Sequence, residues 1–143
     1  KRKIQRRQMS KLYRSREGTV TAVDTKTQLT TLGSETAPGP LLVPAGAKTL
    51  KAIIAAVACD LATAADGTHL IRLEGPGLPE GPETLAVGAT GAQVATGGSY
   101  ANPAFRFEMD IPVTPANEIL IFGENAGEDS GSTGIGVTLE FIA

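Results

Sequence analysis

Two stretches near the C-terminus alternate strictly between apolar and polar residues, and no other feature restricts the fold as much. From Ala104 to Ile111, Phe105, Phe107, Met109 and Ile111 alternate with Ala104, Arg106, Glu108 and Asp110. From Gly134 to Ile142, Ile135, Val137, Leu139 and Phe141 alternate with Gly136, Thr138, Glu140 and Ile142. A period of two places one set of side chains in a core and the other in water, so both stretches read as half-buried β-strands. Glu118–Gly123, between them, is a third strand with a more continuous apolar run. All four phenylalanines lie in this block, and the chain has no Trp and two Tyr. The rings are therefore expected to supply most of the bulky core, with Phe105, Phe107, Met109, Ile119, Ile121, Ile135, Val137, Leu139 and Phe141 largely inside.

The upstream sequence reads the same way. Thr19–Val23 and Thr27–Leu32 are rich in β-branched residues and predict strands. Leu41–Val43 is a short strand stopped by Pro44-Ala-Gly46. Thr49–Ala58 fits a helical spacing as well as a strand. Its Ile-Ile-X-X-Val content favours a strand, apolar on both faces and suited to a covered central position. Asp66-Gly67 reads as a turn pair leading into a strand at Thr68–Glu74. Gly75–Pro82, with three prolines and three glycines, is a surface loop. Glu83–Val87 is a short strand. Gly88–Asn102 and Gly123–Gly134 read as long loops, the first with a strand at Gln93–Thr96. The count is eight or nine short strands and no convincing helix, the pattern of an all-β, antiparallel β-sandwich or jelly roll.

Net charge is −2, an average that hides a partition. Residues 1–16 carry Lys1, Arg2, Lys3, Arg6, Arg7, Lys11, Arg14 and Arg16 and no acid, whereas the remainder carries −10. The expected organisation is a basic N-terminal arm over residues 1–17 and one β-sandwich domain over 18–143. So dense a run of Arg and Lys is either a solvated tail or an arm that orders on an anionic partner. The N-terminal charges are not followed by the apolar segment of a signal peptide. No stretch reaches the ~18 apolar residues of a membrane span.

Chemistry-bearing constellations are sparse. The single histidine, His69, falls in a strand, which leaves little room for a triad or a histidine metal site. It is expected to face solvent or cap the core. The single cysteine, Cys59, sits in an apolar run and is expected to pack, with no intrachain disulfide. Glu108 and Asp110 share the polar face of their strand and read as a solvated pair. The loop holding Glu124, Glu128 and Asp129 is the one metal candidate, since hard oxygens on a flexible loop suit Ca²⁺, although the spacing is not that of an EF-hand. No glycine-rich stretch precedes a helix, so no phosphate cradle is expected. An enzyme, a cofactor and a small-molecule substrate are not expected.

Leu42-Val-Pro-Ala-Gly46, Ile71-Arg-Leu-Glu-Gly-Pro-Gly-Leu78, Ile111-Pro-Val-Thr-Pro115, Gly127-Glu-Asp-Ser-Gly131 and Val137-Thr-Leu-Glu-Phe141 together resemble the single jelly-roll capsid proteins of icosahedral viruses. The resemblance lies in strand rhythm and loop style and covers most of residues 18–143. It implies an eight-stranded sandwich that self-assembles in many copies, with the basic arm on the inner side of a virion shell against genomic nucleic acid or a neighbouring subunit, and with other virion proteins as further partners. The alternatives are a β-sandwich binding or adhesion module, and a subunit of an extracellular filament or cage. A binding module would present aromatic rings on its loops, where this chain offers only Tyr100.

Overall fold

The computed structural model describes residues 10–21, 25–32, 39–61, 66–79, 85–92, 99–101, 105–126 and 131–143. These form ten strands and, among the described residues, no helix: β1 (Lys11–Val20), β2 (Thr27–Gln28), β3 (Leu41–Leu42), β4 (Thr49–Leu61), β5 (Asp66–Glu74), β6 (Leu85–Ala92), β7 (Ser99–Ala101), β8 (Phe105–Pro112), β9 (Glu118–Ala126) and β10 (Gly131–Ile142). They build two antiparallel sheets. Sheet A runs β1-β10-β4, with β7 and β8 end to end along the far side of β4. Sheet B runs β9-β5-β6, with β2 and β3 end to end along the outer side of β9. All pairings are antiparallel, so the all-β sandwich expected from the period of two is the architecture found.

One core lies between the sheets. From sheet A it takes Leu50, Ile53, Ala55 and Val57 of β4 and Ile135, Val137, Leu139 and Phe141 of β10. From sheet B it takes Ile71 and Leu73 of β5 and Ile119 and Ile121 of β9. The registers match these faces, with Leu139 opposite Ile53 and Leu73 opposite Ile121. The two layers approach closely at Gly123. A Cβ there would sit 2.8 Å from Ile135 Cδ1 and 3.0 Å from Val20 Cγ2, so any larger residue would have to push those side chains aside. Residues 27–31 close the open side. Leu29 donates its N–H to Ile121 O in sheet B, and two residues later Thr31 bridges to Glu17 of β1 in sheet A. The buried Leu29 side chain plugs this corner.

Several expectations need correction. Phe141 is fully buried, but Phe105, Phe107 and Met109 are only half-buried, because β8 lies along the margin of sheet A. The core is mainly Leu, Ile and Val rather than rings. β4 is central, as its apolar run suggested, yet its outer face is not covered: Ala56 is exposed and Ile54 half-exposed. Asp66-Gly67 is not a turn but the start of β5, opposite Ala92 and Gly91 of β6. β6 therefore continues into the stretch expected as loop, as does β7 at Ser99–Ala101, and β9 extends to Ala126. The strand expected at Gln93–Thr96 lies outside the described residues. Gly75 turns the chain at φ +116°, a region open to glycine, and begins the loop expected there.

Burial orders the cost of core truncation. Phe141→Ala should destabilise by roughly 3–5 kcal/mol, and Phe107→Ala by clearly less, since its ring keeps part of its water contact when folded. Chemical denaturation of the two variants checks this; equal losses would place Phe107 in the core.

Candidate interface along the first strand

β1 occupies part of the stretch expected as a free arm. Lys11–Glu17 pair with Ile142–Gly136 in a continuous antiparallel register, so the folded body reaches back to residue 11. Glu17 donates its N–H away from β10, to Thr31 O at 2.8 Å. Alternation along an unbroken strand then turns the carbonyls of Ser15 and Tyr13 to the same outer edge. Both are occupied by the chain's own arginines: Arg14 Nη1 donates to Tyr13 O at 2.8 Å and Arg16 Nη1 to Ser15 O at 2.7 Å. Arg16 also donates through Nε to Gly39 O at 3.0 Å, tying the passing loop to the edge. Cations on an edge strand discourage indiscriminate strand addition.

Beside this edge lies a groove of about 510 Å³ whose lining includes Tyr13, Arg14, Arg16, Leu32, Pro40 and Leu42. Among the described residues, the large apolar side chains that are exposed are Tyr13 (47%), Leu32 (40%) and Leu42 (54%), and all three line it. An apolar floor rimmed by two guanidiniums, with no acid among the described lining residues, suits an occupant that brings both apolar surface and carboxylate or phosphate.

On the outer face of sheet A, Glu140 is a charged side chain left only 3% exposed. Arg106 of β8 donates through Nη2 to its Oε2 at 2.5 Å, Tyr13 of β1 donates its hydroxyl to Oε1 at 2.8 Å, and Lys11 lies 3.7 Å away. The Arg106 hydrogen bond holds the Glu140 carboxyl below its ordinary 4.5; burial opposes this and the Tyr13 hydroxyl adds to it. The same bond to Glu140 pushes the Tyr13 phenol above its ordinary 10.0. This carboxylate thus links the first strand, the last strand and β8 across sheet A. Alternation alone had placed Glu140 in water; its partners come from strands far away in sequence, so no local signal marked it.

The remaining candidates fall as follows. Lys1, Arg2, Lys3, Arg6 and Arg7 lie outside the described residues. Lys11, Arg14 and Arg16 are in β1, with Lys11 turned to Glu140 and the two arginines on the edge. Glu124 sits in β9, where Arg72 Nε and Nη2 donate to its Oε2 at 3.2 and 3.1 Å. Glu128 and Asp129 lie outside the described residues, and among the described ones no three of His, Cys, Asp and Glu gather as metal ligands. Glu108 and Asp110 are exposed, beside Arg106 and Lys51 respectively. His69 is buried at the end of the core. Its Nδ1 lies 2.9 Å from Asn125 Oδ1, and Asn125 Nδ2 donates to Val20 O at 3.4 Å, a polar link between the sheets. Cys59 is in β4 opposite Tyr100 and Thr133. Comparison with models of known protein families and with curated protein sequences finds no match.

Glu140 sets a direction for pH dependence. Unfolding returns its carboxyl to about 4.5, whereas the folded chain keeps it charged to lower pH. Its contribution is full above 4.5 and is lost as pH falls through the lower folded value. Glu140→Gln should lower stability at neutral pH by about 1–3 kcal/mol and flatten the acid limb of a melting-temperature profile. An unchanged acid limb would remove Glu140 from the account.

Proposed function

We propose that the chain is a coat subunit of jelly-roll topology that assembles in many copies into a closed virion shell, with residues 1–9 on the inner side. The observation that carries this is the nesting of the strand pairs. Taking β2 with β3 and β7 with β8 as single ladders leaves eight strands in chain order. The first pairs with the eighth (β1·β10), the second with the seventh (β2/β3·β9), the third with the sixth (β4·β7/β8) and the fourth with the fifth (β5·β6). Such nesting is one long antiparallel hairpin rolled up on itself, as in the jelly rolls of viral shells.

Topology alone names no function; the charge layout narrows it. Residues 1–9 keep five cations and no acid, next to a body of −7. Those five cations cannot enter an apolar core unpaired. Fully extended, nine residues reach at most ~32 Å, enough to meet packaged nucleic acid or a neighbouring subunit. Three of the five are Arg, which suits bidentate phosphate and carboxylate contacts alike, and genomic nucleic acid is the partner we propose for them.

The test is to express the whole chain and follow it by light scattering and electron microscopy. Closed shells are expected; fibres would favour an extracellular filament, and a monomer across salt and pH would overturn the shell reading. Deleting residues 1–9 should lower packaged nucleic acid. It should also make the log–log salt dependence of nucleic-acid binding shallower by about 3.5–4.5, one phosphate per lost cation. An unchanged slope would remove the genome contact.

A further inference from the structure

We propose that two copies of this chain join through β8, edge against edge and antiparallel about a two-fold axis at Phe107, so that their two A sheets become one. The contact goes beyond the shell reading, since it holds for a shell, a filament or a dimer alone. β8 pairs with β4 and with no other described strand, so its far side is an open edge. The N–H of Glu17 points away from β10, to Thr31 O. Counted across the sheet from there, the hydrogen-bonded pairs are Arg16 with Val137, Thr138 with Ile54, and Ile53 with Phe107. Phe107 therefore spends its backbone groups on β4, and Arg106 and Glu108 turn theirs to the open side.

With the axis at Phe107, Arg106 stands opposite the partner's Glu108, and Glu108 opposite the partner's Arg106. All four side chains are on the outer face of the joined sheet. Each charge then has unlike neighbours, about 6.6–7 Å away along its own strand and about 5.5 Å away across the pair. Neighbouring registers lose this: an axis at Arg106 sets two arginines together, one at Glu108 two glutamates, and one at Met109 sets Glu108 against Asp110. Within one copy, Arg106 Nε already reaches Glu108 Oε1 at 3.3 Å and Nη2 holds Glu140. Both bonds stay, and Arg106 Nη1 and the second oxygen of Glu108, a residue 78% exposed, meet the partner. A groove of about 420 Å³ lined by Lys51, Arg106, Glu108, Met109 and Asp110 borders the edge and gives the incoming side chains room. On the core side, Phe107 faces the partner's Phe107, and Phe105 the partner's Met109. These side chains are half-buried, and the partner covers what the margin of the sandwich leaves open. Charges on an edge strand turn away most incoming strands; these select the one strand that repeats their order in reverse, as a self-complementary two-fold contact requires.

The experiment is sedimentation velocity on the full chain, with circular dichroism and melting to confirm that each variant is folded. The unsubstituted chain is expected as dimers or larger species. Glu108→Lys sets cation against cation and should raise the concentration needed for half-association roughly tenfold or more. Glu118→Lys makes the same change of charge on β9, away from the edge, and should not. In a chain whose single cysteine is removed by Cys59→Ser, Phe107→Cys should link two copies by a disulfide on mild oxidation, because directly opposite residues of a non-bonded pair lie about 4.5 Å apart at Cα. Met109→Cys in the same background should not, since the two thiols would stand about 13 Å apart along the strands. A folded Glu108→Lys chain that associates like the unsubstituted one would overturn the contact, as would a disulfide through Met109→Cys in place of Phe107→Cys. If Phe107→Cys does not fold, Glu108→Lys against Glu118→Lys decides. Dimers without closed shells would uphold the contact and overturn the shell reading. Closed shells indifferent to Glu108→Lys would do the reverse, and a monomeric unsubstituted chain would overturn both.

Discussion

The pairing of the first strand with the last is the constraint on which the rest of the structure depends. Ten residues of β1 lie against ten of β10 without a break in register, and every other pair is nested inside this one. Loop closure over so long a span costs conformational entropy that grows only slowly with length, but it has to be recovered at the point of contact. Backbone hydrogen bonds do part of this. Glu140 adds a charged knot at the far end, where it draws Lys11 and Tyr13 from β1 and Arg106 from β8 onto one carboxylate. A carboxylate with little contact to water is costly unless each oxygen finds a donor; here Oε1 takes the Tyr13 hydroxyl and Oε2 the Arg106 guanidinium. The same demand that satisfies Glu140 therefore fixes where β1 and β8 sit relative to β10.

Between the sheets the limit is volume. A Cβ at Gly123 would press on Ile135 and Val20, so the layers are in tight contact where β9 passes over β10 and β1. Medium-sized aliphatic side chains fill so thin a gap in their preferred rotamers, whereas most of the rings do not fit its centre. Phe105 and Phe107 accordingly lie at the margin, on β8, and Phe122, between the inward Ile121 and Gly123, is on the outer face of sheet B, where Lys26 stands 4.4 Å over its ring. The register break at Glu140/Phe141 and Leu50/Ala52 belongs to the same margin. Lys51 is the extra residue against β10, whereas against β8 it faces two residues, Met109 and Asp110, and its ammonium meets Asp110. A bulge there bends β4 while keeping Leu50 and Ile53 both on the core side.

How much of this could be read from the sequence depends on whether a strand carries its own pattern. β8 and β10 were legible because their inner residues alternate, and β4, β5 and β9 because they are rich in apolar and β-branched residues. β1 was hidden because its inward positions include Arg14 and Arg16, which only the sheet edge can accommodate, by turning their guanidiniums onto outward carbonyls. Charge count then outweighed periodicity and made an arm of residues that pair. β6 was cut short because Gly88, Ala89, Gly91 and Ala92 mimic loop composition, and Asp66-Gly67 because a good turn pair was absorbed at a strand start. His69, which is buried, could be read either as facing solvent or as capping the core, because its partner Asn125 reads as loop. The site showed least: Leu32 and Leu42 looked like ordinary strand residues, and nothing local says that the fold brings them beside Tyr13.

The charge partition takes on a different meaning once β1 is folded. Five of the eight cations lie ahead of the described residues, and the rest of the chain carries −7 rather than −10. Copies of such a body repel, so association needs either screening or contacts that pair opposite charges. Arg14 and Arg16 are among the cations that folding moves from the basic segment onto the body, and at the edge of sheet A their guanidiniums are held against the backbone carbonyls of Tyr13 and Ser15, so their charge is spent on closing the sheet margin rather than on extending a tail.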